Sequence, residues 1–439
     1  MSSTVSASLP ANVKPCALPG SPLAQASAGL DACVHCGFCL QACPTYVNLE
    51  DENDSPRGRL VLMRRLLDGE IALDDPDAGV HMDRCLGCRA CETACPSGVP
   101  YGELLEATRA TMTAARGRPW VASLVLAIFA RQPLLRTVLF AARMARATPL
   151  PRFLARVLPP RLAFPFAMLT STAPHLRSSV ARNYIGAPKP QPTRGTVALL
   201  DGCVMDGLFG HINDATQRVL TANGYEVIAA QGQQCCGALH AHAGDLEGAR
   251  ALARANVAAF ESAQAQYIAI NSAGCGAMVK QYAHLLRDDA EWHERAQRVA
   301  SRARDVSELL ADAGPRVGGT LALRVTHDPP CHQMHAQRVV RQPLQVLRAI
   351  PGLELVPLED ADQCCGSAGI YNLIEPDTSD AVLAPKLARI AESKAAYVAT
   401  GNPGCMMQLG AGLLQSGSAT RVVHPIELLD ASYAAPSSP

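Results

Sequence analysis

Two twelve-residue stretches constrain this chain more than anything else in it: CVHCGFCLQACP, from Cys33 to Pro44, and CLGCRACETACP, from Cys85 to Pro96. Both space their cysteines as C-x2-C-x2-C-x3-C-P. Three thiols two residues apart let one tight loop wrap three irons of a cube, and the fourth thiol lies beyond that loop's reach. In two-cluster ferredoxins the fourth cysteine serves the other cluster. The spacing therefore predicts one [4Fe–4S] cluster on Cys33, Cys36, Cys39 and Cys95, and a second on Cys85, Cys88, Cys91 and Cys43. Zinc ribbons use separated C-x2-C pairs instead. Gly37 and Gly87, inside the runs, allow close backbone approach to a cluster. A full thiolate set leaves His35 no ligand role.

Between the runs, SPRGRLVLMRRLLDGE reads as a helix, with Ser55 as N-cap, Pro56 at the first helical position and Gly69 as the stop. Arg57 and Arg59 fall in its first turn, where the helix dipole disfavours positive charge. Two readings stand side by side for them: service to an anionic cluster or partner, or plain exposure. Farther on, Ala107 to Leu200 contains no Asp or Glu but fourteen Arg and Lys residues. Pro133, Pro149, Pro151, Pro159 and Pro160 cut this basic, apolar stretch into short helices. It reads either as core helices or as an amphipathic surface for a membrane or a subunit. GAPKPQPTRG, from Gly186 to Gly195, is a linker by composition.

Beyond the linker the chain repeats itself. Cys203, Cys235 and Cys275 are matched by Cys331, Cys364 and Cys405, at offsets of 128, 129 and 130 residues. Each middle cysteine has an immediate neighbour, Cys236 or Cys365, followed by Gly237 or Gly366. Strands are expected at TVALLDGC, YEVIAA and YIAINSAGC, and again at LALRVTHDPPC, LELVPL and AAYVATGNPGC, with helices between them. That alternation argues for parallel α/β units. All the cysteines then lie past strand carboxyl ends, where open α/β sheets hold ligands. Cys203, Cys235, Cys236 and Cys275 should converge, as should Cys331, Cys364, Cys365 and Cys405. Adjacent cysteines have Cα atoms about 3.8 Å apart, too close for a relaxed disulfide. Metal or cluster ligation is the favoured reading, and redox-active thiols the other.

At these residues the sequence resembles the iron–sulfur subunit of glycolate oxidase (glycolate dehydrogenase). The resemblance is carried by CVHCGFCLQACPTY, SPRGR, RCLGCRACETACPSGVPYGELLE, CCGALHAH, SAGCGAMVKQY, CCGSAGIYNL and HPIELL. The chain is similar, less closely, to the corresponding subunit of anaerobic glycerol-3-phosphate dehydrogenase. Its CCG repeats also resemble those of lactate-utilisation proteins and heterodisulfide reductases. The resemblance implies that a separate FAD subunit oxidises glycolate to glyoxylate within a hetero-oligomer. This chain would pass the electrons toward a quinone or other membrane acceptor. In the heterodisulfide reductase repeat the last cysteine continues as C-x-x-C. Here Met278 and Gln408 stand at that position, so a five-thiolate cluster does not carry over. A [4Fe–4S] cluster, zinc or a redox thiol set remains open for each copy.

The expected fold is α+β and multidomain. A flexible tail (1–29) precedes a helical bis-[4Fe–4S] ferredoxin-like domain (30–110) and a basic helical connector and linker (111–194). Two duplicated CCG repeats, heterodisulfide-reductase-like α/β units, follow at 195–318 and 319–439. With no G-x-G-x-x-G and no P-loop, neither FAD nor NAD is expected in this chain. A formal net charge of zero gives no reason to expect nucleic acid. No signal peptide or membrane span is expected, so the location reads as cytoplasmic, or peripheral on the inner face of the cytoplasmic membrane. His240, His242, His327, His332 and His335 fall near the repeat cysteines and read as surface or supporting groups. Cys16 belongs to no pattern.

Overall fold

A computed structural model describes residues 17–176 and 194–435. Cys16 and residues 186–193 of the linker lie outside that range. Each repeat forms one four-stranded parallel sheet. Strands β1 (Thr196–Leu199), β2 (Glu226–Ile228), β3 (Tyr267–Ile270) and β4 (Ala303–Asp305) are arranged β2-β1-β3-β4. Strands β5 (Arg324–His327), β6 (Glu354–Val356), β7 (Tyr397–Ala399) and β8 (Arg421–Val423) repeat that order as β6-β5-β7-β8. Val197 pairs with Val227 and Tyr267, and Val325 pairs with Leu355 and Tyr397, so the register repeats too. In each sheet the strand order reverses beside the central first strand, which makes a ligand crevice at the carboxyl ends.

Two features differ from the expectation. Cys275 and Cys405 do not end strands. β3 stops at Ile270 and β7 at Ala399, and the cysteines lie in the first turns of helices Ala273–Lys280 and Pro403–Gln415. Pro403 at the start of its helix explains the early break. The second difference is the fourth strand, β4 or β8, only three residues long and too short for a periodic signal. Each leads into a helix closed by a reciprocal capping box: Asp305 with Glu308, and His424 with Glu427. HPIELL and DVSELL are therefore one landmark of the repeat.

The repeats share a core in which Val197, Leu199, Val219, Val325, Ala399 and Leu428 are all buried. Polar ties cross between them. Gln333 donates to Asp305 Oδ2 at 2.9 Å, and Arg218 grips Asp430 at 3.0 and 2.7 Å. His424 is assigned one tautomer by its partners. Nδ1 accepts from the Ile426 N–H at 3.1 Å, so Nε2 carries the proton donated to Asn271 O at 2.9 Å. Burial pushes the His424 pKa down to about 4, against about 6.5 in an unfolded chain. The unfolded state binds the extra proton, so this contribution is complete above about pH 6.5 and is lost as pH falls toward 4. The expected loss is about 3 kcal/mol. Urea titrations across that window should show it, with a shallower pH slope in His424→Asn, whose amide can still cap.

The expected flexible tail is partly corrected. Helices Pro22–Gln25 and Ala28–Asp31 pack on the ferredoxin-like block. Leu23 is fully buried, and its N–H donates to Thr111 Oγ1 at 3.1 Å. Leu23 and Leu30 supply the apolar anchors. Helix Pro56–Leu67 begins at the Ser55 cap as expected, with the hydroxyl accepting from the Gly58 N–H. The connector forms helices Trp120–Phe129, Gln132–Arg146, Leu150–Val157 and Pro160–Ser171, with breaks at the expected prolines. Among the described residues no single helix is long and apolar enough to cross a membrane.

Candidate iron–sulfur and thiol sites

In the N-terminal block, Cys33, Cys36, Cys39 and Cys95 line one cavity walled by Leu60, Val99 and Tyr101, with Cys91 at its edge. The loop turns at Gly37, where φ is +84° and a Cβ would meet the Arg57 guanidinium at 3.0 Å. Arg57 also pairs with Glu52 at 2.8 Å. Cys43 is buried, and its influence reaches Cys39 of its own run as well as Cys88 and Cys91 of the other. Its charge, with those of Cys85 and Cys88, acts on Cys91, and the Tyr101 hydroxyl donates to Cys85 Sγ at 3.6 Å. Cys95 thus lines the cavity of the other run's first three cysteines. Burial pushes Cys39 up to about 11 and Cys88 and Cys91 well above the ordinary thiol range. Burial favours the protonated form of these thiols, and a bound metal would take the proton's place on the sulfur. An all-sulfur donor set around an apolar cavity fits an iron–sulfur cube.

Arg59 is the group the sequence reading left undecided, and it is fully buried. Its guanidinium donates to Thr45 Oγ1 (3.0 Å), His81 O (2.7 Å), the Asp54 carboxylate (3.0 Å) and Asp54 O, and stands 4.0 Å from Cys43 Sγ. Arg84 and His81 complete the shell of Asp54 at 3.0 and 3.1 Å. A helical signal existed for this: Arg59 is in phase with the buried Met63, Leu66 and Leu67, whereas Arg57 is not.

The eight repeat cysteines do not form two separate pockets. Cys203, Cys235, Cys236, Cys275, Cys331, Cys364, Cys365 and Cys405 all line one cavity of about 390 Å³ between the repeats. Cys88 of the N-terminal block lines the same cavity, packed with Cys331, Cys364 and Leu86. Val125, Phe129, Met168 and the half-exposed Leu373 form its apolar rim.

Within each set the sulfurs are strung together. Cys203 Sγ donates to Cys235 Sγ at 3.6 Å, which is about the span of two thiolates on one tetrahedral metal atom. Hydrogen bonding from Cys203 holds Cys235 well below the usual thiol range, while Cys203 and Cys236 are pushed well above it as donors. Cys236 in turn holds Cys275 low. Cys364 is likewise held low by Cys331, and Cys331 and Cys365 are pushed up. Gly366 makes the adjacent pair possible: φ is +83°, and a Cβ there would lie 2.6 Å from Ser379 O.

The two CCG loops are held differently. In the first, the Asn256 amide bridges Gln234 N–H (2.8 Å) and Cys235 O (2.9 Å). In the second, the buried Lys386 pairs with the buried Asp328 at 3.1 Å and donates to Asp360 O and Ala361 O. The second CCG loop is therefore held by a buried ammonium where the first is held by a neutral amide. His242 and His332 line the cavity with ring centres 5.3 Å apart. His332 donates to Gly87 O at 3.0 Å, and burial pushes its pKa down to about 4. His242 pairs with Glu106 at 2.9 Å, and His335 with Thr93 at 2.7 Å. These histidines, Arg109 on His242 O (2.9 Å) and Tyr371 on Arg84 O (2.7 Å) fasten the N-terminal block over the cavity. His240 and His327 are buried away from the surface.

Models of known families match the same divisions. A 4Fe–4S dicluster domain matches residues 29–99, and a cysteine-rich domain matches 197–280 and again 325–410. The chain is 36% identical over 414 residues to the probable glycolate oxidase iron–sulfur subunit of Bacillus subtilis (strain 168), covering 90% of this chain and 92% of that one. It belongs to the glycolate oxidase iron–sulfur subunit family. The glycolate oxidase iron–sulfur subunit of Escherichia coli (strain K12) is 34% identical over 417 residues, 92% of this chain and 95% of that one. Lactate utilization protein A of Geobacillus thermodenitrificans (strain NG80-2) is 32% identical but spans only 53% of this chain, while 98% of its own length is covered. This chain thus combines the iron–sulfur block and both cysteine-rich repeats.

Proposed function

We propose that this chain is the electron-transfer subunit of a glycolate dehydrogenase, working beside a separate FAD subunit that oxidises glycolate to glyoxylate. The ligand sets are Cys33, Cys36, Cys39 and Cys95 for one [4Fe–4S] cluster, and Cys85, Cys88, Cys91 and Cys43 for the other. Such a cube supplies one-electron redox chemistry when bound. The chain's own residues fix the cysteine loops, exclude water from them and set the local charge. Electrons leave by way of the cavity between the repeats, toward a quinone or another membrane acceptor. The observation that carries this reading is Cys88, which belongs to the second ferredoxin-type run and also lines the eight-thiol cavity against Cys331 and Cys364. The coverage of nearly the whole chain by glycolate oxidase subunits favours glycolate over lactate, whose relatives match about half.

For the repeats we propose iron rather than structural zinc. Structural zinc sites are closed, with four ligands and nothing open, whereas both thiol sets face a shared open cavity. Metal analysis of the anaerobically reconstituted chain should give about eight irons from the ferredoxin-type block, and further iron from the repeats. Fewer than about eight, or zinc in place of the further iron, contradicts the corresponding assignment.

Arg59 should tune the Cys43-bearing site. A buried positive charge favours the reduced, more negative state. A unit charge about 5 Å away at an effective dielectric of about 20 is worth about 3 kcal/mol, on the order of 100 mV for one electron. Arg59→Met, which leaves Arg84 and His81 on Asp54, should lower one midpoint potential by that order in a redox titration. The potential of the Cys33-bearing site should move far less.

A further inference from the structure

The four connector helices carry an unusual surface. On Trp120–Phe129 the residues Trp120 and Leu124 are exposed, one turn apart, while Ala122 and Leu126 are buried. Gln132–Arg146 buries Leu135 and exposes Leu134, Val138, Phe140 and Met144. Leu150, Phe153, Val157 and Leu162 continue the exposed apolar row across the next two helices. Arginines interleave with them, and Arg143 lies over the Phe140 ring at 5.9 Å. No acidic residue occurs from Ala107 to Leu200. Among the described residues Arg131, Arg143, Arg152 and Arg156 form no ion pair with Asp or Glu, and Arg136 has only the Asp201 carboxyl near it.

A second observation lies at the end of this face. Arg152 and Arg156 line a cavity of about 250 Å³ together with Arg421, His175, Thr170 and Thr420, and no carboxylate lines it. The Thr170 and Thr420 hydroxyls already donate to Phe166 O and Ala395 O, so the three guanidiniums are the donors this open cavity offers an anion with several acceptor oxygens, and a phosphate group fits that description.

We propose that this face lies on a bilayer containing anionic phospholipids, with its apolar side chains in the interface and its arginines at the phosphates. The cavity at Arg152, Arg156 and Arg421 receives one lipid headgroup. Uncompensated positive charge interleaved with exposed large apolar groups matches such a surface. A protein partner would satisfy the apolar groups but would have to bring a carboxylate for each of these arginines. Helix Trp120–Phe129 also contributes Val125 and Phe129 to the rim of the eight-thiol cavity. Val125 and Phe129 lie across the helix from Trp120, so docking through this helix would set that rim one helix diameter, roughly 10 Å, from the lipid that would hold an apolar electron acceptor. Only this last consequence rests on the electron-transfer reading, and the docking itself is measured without turnover.

The chain has two tryptophans, and Trp292 is stacked under Arg295 at 3.8 Å, away from this face. Trp292→Phe in the full, cluster-loaded chain leaves Trp120 as the only reporter. With phosphatidylcholine vesicles containing phosphatidylglycerol, brominated acyl chains should quench Trp120, and high salt should reverse the binding. An arginine at an anionic surface strengthens binding about fivefold, so Arg152→Gln with Arg156→Gln should weaken it about 25-fold. The same charge change at Arg341 and Arg348, which are exposed elsewhere, should leave it intact. Unchanged iron content shows that each variant is folded. The proposal is overturned by any of three results: Trp120 unquenched, equal loss in the control pair, or a face covered by the flavin subunit that ignores vesicles.

Discussion

Replacing Cys95 by serine should remove the cluster of the first cysteine run, 50 residues and more upstream, and spare the cluster of its own run. Cys95 lines the cavity of Cys33, Cys36 and Cys39, and the proposed ligand set gives Cys43 to the run of Cys85, Cys88 and Cys91. Cys95→Ser and Cys33→Ser should therefore lose the same electron paramagnetic resonance signal, with about four irons each. Cys43→Ser should lose the other signal. If Cys95→Ser and Cys85→Ser instead removed the same signal, each run would hold its own cluster and the crossed arrangement would be wrong.

The second large effect concerns the buried pair at the second CCG loop. Asp328→Ala leaves the Lys386 ammonium buried with only two carbonyls, Asp360 O and Ala361 O, to receive it. Removing one partner of a buried pair costs about 3–5 kcal/mol. Burial opposes ionisation of Asp328, and Lys386 and Thr400 counter that. Lys386 in turn is pushed up by Asp328. The pair thus owes its charge to mutual contact, and neither member stands alone. The corresponding change in the first repeat, Asn256→Ala, removes a neutral bridge and should cost about 1–3 kcal/mol. Anaerobic urea unfolding of the two variants should rank them in that order. Joint replacement, Asp328→Leu with Lys386→Met, should recover most of the loss, because an apolar pair of similar volume avoids the desolvation.

Much of the architecture was legible in the sequence because cysteine spacing is a hard geometric constraint. The crossing of the fourth cysteines is expected from loop reach, and the serine variants above test it. The repeat follows from Cys203, Cys235 and Cys275 recurring in step with Cys331, Cys364 and Cys405. Burial at Arg59 was legible in principle, since it shares a helical phase with Met63 and Leu66. Other features depend on contacts between distant segments. Nothing local to either CCG loop indicates that the two thiol sets face one cavity, or that Cys88 reaches it. That arrangement arises when the shared core of the repeats brings the two strand-end crevices together and the histidine bonds dock the N-terminal block on top. The tail was misread because Ser21-Pro22 and Leu23 start a helix too short for periodicity. Its stability comes from the Leu23 contact with helix Tyr101–Arg116.

The electron-transfer reading is tested most directly by adding glycolate to the anaerobic chain with and without its flavin subunit, and following cluster reduction by electron paramagnetic resonance. Reduced iron–sulfur signals should appear only when both chains are present, and Cys88→Ser should retain flavin reduction while blocking passage to an added quinone. Cluster reduction by glycolate in the isolated chain, or oxidised clusters beside a flavin that glycolate has reduced, would contradict the account.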